Sequence, residues 1–305
     1  MKMLFIISFF SLFLYSNSSF NEVWNIVKKD ETTNLPQYKV TFNSLYKDKV
    51  DTVTSDALRT LGDSSDILKS FRKKAHPNGI CFKGTWNITS QNIYSGYFKK
   101  NTKANIIIRA SSAMSNTKSG DIRILGLAGK VFPLDKNKKV KSANFFLIDN
   151  LGGTKVKYYS DTILVNEPKF SFSSIVLKNL LYSLKLASTF KDVDKNSNIR
   201  QLYQVSNLDV NNPSLTITPK WMKLQMQDKY KGIKRENIDF RDELHIRGNK
   251  TLVYNIFVSS QKINDIINWE QVGTIVLDKS VVSTSCDTRL HFNHPVWIDD
   301  LKYSK

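Results

Sequence analysis

The chain has 305 residues, 41% hydrophobic and 24% charged, a balance too apolar for general disorder. A mean hydropathy of -0.32 excludes a polytopic membrane protein, and two cysteines exclude a disulfide framework or a four-cysteine zinc site. The 45 Lys and Arg against 27 Asp and Glu give a formal charge of +18; this field attracts polyanions, but it comes from Lys scattered through a Lys/Asn/Ile-rich chain with no nucleic-acid recognition motif, so no specific nucleic-acid partner is expected.

In chain order, Met1–Phe20 (MKMLFIISFFSLFLYSNSSF) reads as an export signal. Lys2 supplies the positive start, Met3–Tyr15 the apolar run, and Ser16-Asn17-Ser18 the small residues a signal peptidase needs. The run is too short to cross a hydrocarbon layer of ~30 Å. Residues 1–18 are expected to be removed, an uncleaved anchor being the alternative. Residues 19–305 are then expected to form one exported domain, periplasmic or secreted, with no transmembrane span. In that oxidising compartment Cys81 and Cys286 are able to pair, although sequence does not decide it. Cys81, beside Phe82 in an apolar strand, also reads as a small buried hydrophobe.

Ser55–Ala75 has helical periodicity broken at Gly62-Asp63-Ser64-Ser65. From Gly79 the pattern turns to short Ile-, Val- and Phe-rich runs separated by Gly, Asn, Asp and Lys. Ile80–Ile88, Asn105–Ala110, Ile124–Phe132, Asn144–Ile148, Val156–Tyr159 and Thr162–Val165 predict strands of an antiparallel sheet. Ser174–Leu186 predicts a helix, and Leu244–Ser259 and Gln271–Leu277 further strands. The class is α+β, and closing the sheet into a barrel would remove its edges.

No phosphate-binding Gly-rich loop, G-x-S-x-G elbow or H-E-x-x-H helix occurs. His291 and His294 have a metal-like spacing only on a helix, and Pro295 argues for a loop, so no metal site is expected. His76 has different surroundings. In Ala75-His76-Pro77-Asn78-Gly79-Ile80-Cys81-Phe82-Lys83-Gly84-Thr85-Trp86 it lies between a helix and a strand, with two glycines that permit close approach of a flat ligand or another backbone. Taken alone, a histidine here also reads as a hydrogen-bonded structural residue.

That segment resembles the distal motif of the haem catalase superfamily, where His precedes Gly and Gly-x-aromatic at these offsets. The likeness continues in order. Tyr94-Ser95-Gly96-Tyr97-Phe98 and Ile106-Ile107-Ile108-Arg109-Ala110-Ser111-Ser112 resemble the family's Gly-x-Phe and its strand ending in Arg-Phe-Ser. Arg123-Ile124-Leu125-Gly126-Leu127-Ala128-Gly129-Lys130 resembles its Arg-Gly-x-Ala-x-Lys strand with two extra residues. Asn144–Asn150 resembles the next strand, and Trp269–Leu277 and Ser285–Phe292 resemble the last barrel strand and the segment after it. The Cys-acid-x-x-Leu-x-Phe variant resembles small bacterial catalase-like proteins more than full-length catalases.

The resemblance implies a catalase-like antiparallel β-barrel with flanking helices, a haem cofactor, and a peroxide or hydroperoxide substrate. It implies that His76 moves the proton, that Ser111 orients its ring, and that Asn150 (or Asp149) is the distal amide. Arg109 would pair with a haem propionate or brace the site from its strand, and Arg72 (or Lys73) would be a second propionate partner. One departure concerns the iron. The family's proximal ligand is a Tyr phenolate in an Arg-x-x-x-Tyr context, and no such spacing occurs in these residues. Tyr303, with Asp299 four residues before it, is a poor substitute. A catalase-fold protein that binds haem or another hydrophobic ligand without turnover is therefore the alternative expectation.

Overall fold

A computed structural model describes residues 20–35, 37, 76–94, 96–112, 117–119, 125–132, 143–149, 159, 164–165, 219, 221–227, 237–259, 262–263, 266–290 and 292. Among them, the helices are α1 (Phe20–Val27), α2 (Phe240–Leu244) and α3 (Thr284–Thr288). The strands are β1 (Asn78–Ile88), β2 (Lys103–Ser112), β3 (Leu125–Phe132), β4 (Ala143–Asp149), β5 (Leu164–Val165), β6 (Trp221–Met226) and β7 (Leu252–Ser259). They are followed by β8 (Lys262–Ile263), β9 (Ile266–Ile267) and β10 (Glu270–Val281).

All the strand pairings are antiparallel. The hydrogen-bonded order is β1-β10-β7-β6-β5-β4-β3-β2, and β2 pairs in turn with β1, so the order is cyclic. β8 and β9 form a separate two-stranded ladder. The predicted strands over 80–88, 105–110, 124–132, 144–148 and 271–277 fall within β1, β2, β3, β4 and β10, apart from Ile124, which lies outside the described residues. Two expectations are corrected. Tyr159 sits in a 3-10 turn rather than a strand. The expected strand over 244–259 begins only at Leu252, because Leu244 ends α2 and the exposed turn at Arg247–Lys250 intervenes. The helices expected over 55–75 and 174–186 lie outside the described residues.

The burial patterns explain why the strands read so differently in sequence. A barrel strand normally alternates between a packed inner face and a wet outer one. β10 follows that rule in its central Thr274–Leu277. β2 and β3 do not: nearly every residue of KANIIIRASS and all of LGLAGKVF are buried. Their inner residues Ile106, Ile108, Ala110, Leu125, Leu127 and Val131 join Phe82, Trp86 and Phe145 in the main core. Their outer residues Ile107 and Phe132 pack instead in a second cluster with Val23, Trp24 and Val27 of α1 and with Cys81 and Cys286. Helices α1 and α3 thus cover the outer face of this part of the barrel, and strands buried on both faces lose their polar alternation.

Local chemistry fixes the cover. Ser283 is the N-cap of α3 and accepts from the Cys286 amide at 2.8 Å, while its hydroxyl donates to the carbonyl of Val27 at the end of α1. Ser285 donates to Asp30 at 2.6 Å. Cys81 of β1 and Cys286 of α3 form a disulfide, with Cα atoms 5.9 Å apart. Cys81 is therefore a crosslink rather than a lone buried hydrophobe. At Gly84, beside a register shift between β1 and β10, the backbones approach so closely that a Cβ would overlap the carbonyl of Val276.

Candidate functional site

The covered outer face carries a row of polar side chains inside an apolar setting. Register places Gly79 opposite Ser111 and Ser111 opposite Gly126; one step along, Cys81 is opposite Arg109 and Arg109 opposite Ala128. Residues directly opposite on a ladder point to the same face. Ser111 and Arg109 therefore share one side of the sheet with three of the smallest residues in the barrel.

His76 enters this row from just before β1. The residue is 6% exposed, and its Nδ1 shares a hydrogen bond of 3.0 Å with Ser111 Oγ. Its backbone has a φ of 57°, in the left-handed region. That region costs an L-residue about 1–2 kcal/mol and is further disfavoured before a proline. The surroundings hold the residue there: Ser111 takes the ring, and Arg109 Nη2 donates to the carbonyl of Pro77 at 3.3 Å. Burial, and then the nearby Arg109 charge, pull the imidazole down from 6.5 to about 3. At neutral pH His76 is an uncharged base.

Arg109 is itself committed. Its Nη2 donates to Asp287 Oδ1 at 2.5 Å and its Nε to the same oxygen at 3.2 Å, and both side chains are almost wholly buried. The guanidinium fits because residue 79 is glycine: a Cβ there would lie 2.6 Å from Arg109 Cζ. Of the two roles the sequence leaves open for Arg109, the geometry favours the brace over the propionate partner. Asp287, not singled out from the sequence, is the site residue that reading missed. It stands in the Cys-acid-x-x-Leu-x-Phe motif, but its partner is 178 residues away. Further along the face, Lys130 donates to Asn144 Oδ1 at 2.6 Å in a fully buried pair.

The site brings His76, Ser111 and Arg109 together. Arg72, Lys73, Asn150, His291, His294 and Tyr303 lie outside the described residues, and of Asp149 only the backbone is described. The described tyrosines Tyr94, Tyr97, Tyr159 and Tyr254 all belong to the main core. Burial, and then the nearby Glu243 charge, hold the Tyr254 phenol above its usual range. For a haem, then, the residues offered for a distal side are the imidazole and its serine, with only the small Gly126 and Ala128 beside them on the ladder. Arg109 does not fit the propionate clamp, and none of the described residues supplies the proximal phenolate.

No protein-family model and no curated protein matches the sequence. Among solved structures, the chain is similar to a fungal catalase with a TM-score of 0.36 and 13% identity, over 74% of this chain and 53% of that one. It is also similar to a bacterial catalase with a TM-score of 0.38 and 9% identity, over 82% of this chain and 54% of that one. The chain thus spans about half the length of the catalases it matches. Among the described residues the fold is a mostly antiparallel sheet with few helices, consistent with a catalase-like β-barrel, and the likeness goes no further than that outline.

Proposed function

We propose that the chain is an exported, catalase-like protein acting on hydrogen peroxide or an organic hydroperoxide, with His76 as the acid–base group and haem as the cofactor. The single observation that supports this reading is the His76–Ser111 pair. A buried base that stays neutral, with one ring nitrogen held by a serine, is equipped to take and return a proton. Haem, when bound, would supply the redox centre for O–O cleavage. The chain's own task is protonic. With Nδ1–H donating to Ser111 Oγ, the lone pair sits on Nε2, which accepts a proton from one peroxide oxygen and delivers it to the other. Asn150 and Arg72 keep the roles the sequence resemblance gives them, a distal amide and a propionate partner. A signal over residues 1–18 and a periplasmic or secreted location belong to the same proposal.

The commitment of Arg109 to Asp287 favours a second reading, in which the barrel binds haem or another hydrophobic ligand without turnover. Absorption spectra of the purified protein with and without haemin, together with peroxide consumption, separate the two. A Soret band with consumption that falls by ~10²–10⁴ in His76→Ala supports catalysis. A Soret band without consumption supports the second reading. Protein that stays colourless with haemin removes the cofactor from both.

A further inference from the structure

Arg109 is held from two directions, and the two contacts connect one end of the site to a helix on the outside of the barrel. Asp287 Oδ1 accepts from Nη2 and Nε, and the same Nη2 reaches the Pro77 carbonyl, one residue beyond His76. Asp287 has little freedom of its own. It lies in α3, a helix capped by Ser283 and tied to β1 by the Cys81–Cys286 disulfide at the preceding residue. His76, by contrast, has a backbone conformation that its own residue type and the following proline both disfavour. Its geometry must be imposed from outside.

We propose that Asp287 is a positioning residue for His76, acting through Arg109: it fixes the guanidinium that holds the Pro77 carbonyl, and so fixes the backbone that aims the imidazole at Ser111. Arg109 is accordingly an internal strut, and an anionic group on a ligand in this site must be bound by other residues. The inference rests on the reading of His76 as the working group, but its test does not depend on turnover.

Asp287 reaches the His76 backbone through Arg109 and the Pro77 carbonyl, and a purely structural ion pair would leave the ring's tautomer unchanged when it is removed. The His76 ring nitrogens can be observed by long-range proton–nitrogen NMR in the full-length protein. In the native protein a single tautomer with Nδ1–H on Ser111 is expected, and Ser111→Ala should abolish it. Asp287→Asn should give the same loss, with the two ring nitrogens moving toward averaged shifts. A lone arginine left in a buried site can prevent folding. The paired variant Arg109→Met/Asp287→Leu leaves no unpaired charge and removes the same strut, so it should also lose the single tautomer. Retention of the native tautomer in either variant, folded and with its disulfide intact, overturns the proposal. A protein that shows these shifts yet consumes no peroxide supports the strut and counts against the proposed catalysis alone.

Discussion

Cys81 and Arg109 face each other across the β1–β2 ladder, and each reaches out to one of two consecutive residues of α3, Cys286 and Asp287. A covalent link and a buried ionic one therefore run side by side from the same patch of sheet to the same helix. Both links anchor this patch of sheet to α3.

Opening the covalent link should be costly. The bridge closes a separation of 205 residues, for which removal of a native disulfide costs about 2–5 kcal/mol. Cys81→Ser/Cys286→Ser, or a dithiol reductant on the native protein, is expected to lower the thermal midpoint by several degrees. Equal midpoints with and without dithiothreitol would show that the link contributes nothing.

Gly79→Ala is expected to disturb the site by pressing a methyl group onto the Arg109 guanidinium. Its Cβ would lie 2.6 Å from Arg109 Cζ, and the guanidinium has no free direction while Asp287 and Pro77 hold it. Displacing one partner of a buried pair costs about 3 kcal/mol. Urea unfolding should show that loss, and a variant as stable as the native protein would mean the guanidinium has room to move.

The buried imidazole gives stability a pH dependence of definite sign. Between about pH 3 and 6.5 the unfolded chain carries a proton on His76 that the folded chain does not. Unfolding then takes up a proton, so stability falls as pH is lowered through that window and is independent of this group above it. The slope is about 1.4 kcal/mol per pH unit at most. Asn tolerates the left-handed backbone, so His76→Asn should unfold in urea with a smaller loss between pH 7 and pH 4 than the native protein. An unchanged loss would mean that His76 is protonated in the folded state.

Ser111 and His76 should differ in the size of their effects on peroxide consumption. Ser111→Ala removes one hydrogen bond from the ring, worth roughly 0.5–1.5 kcal/mol, and should slow turnover roughly 2–10-fold. His76→Ala removes the base itself and should cost far more. A serine variant as slow as the histidine variant would point to a direct role for the hydroxyl.

Local patterns were legible in the sequence and distant contacts were not. The run Ile106-Ile107-Ile108 marks a strand at once, and its lack of alternation reflects cover on both faces. The His76 segment stands out because its Pro and Gly neighbours are adjacent in the chain. Trp221–Met226, by contrast, carries Lys223 and Gln225 among its apolar residues and gives too short a pattern to announce β6. Leu244 and Ile246 both pack toward the core, one from the end of α2 and one from the segment after it, and their spacing imitates the alternation of a strand before β7 begins. The Cys81–Cys286 pairing and the Arg109–Asp287 contact depend on segments brought together only by the cyclic strand order, so no local pattern could reveal them.

That cyclic order sets a timetable for folding. β1 finds its second neighbour only in β10, the last strand of the order, so the wall cannot be sealed until β10 has been made. Until then both strands expose bare hydrogen-bonding edges, the part of a nascent sheet most prone to stick to other molecules. Helix α3, arriving immediately after β10, then bolts the seam from outside.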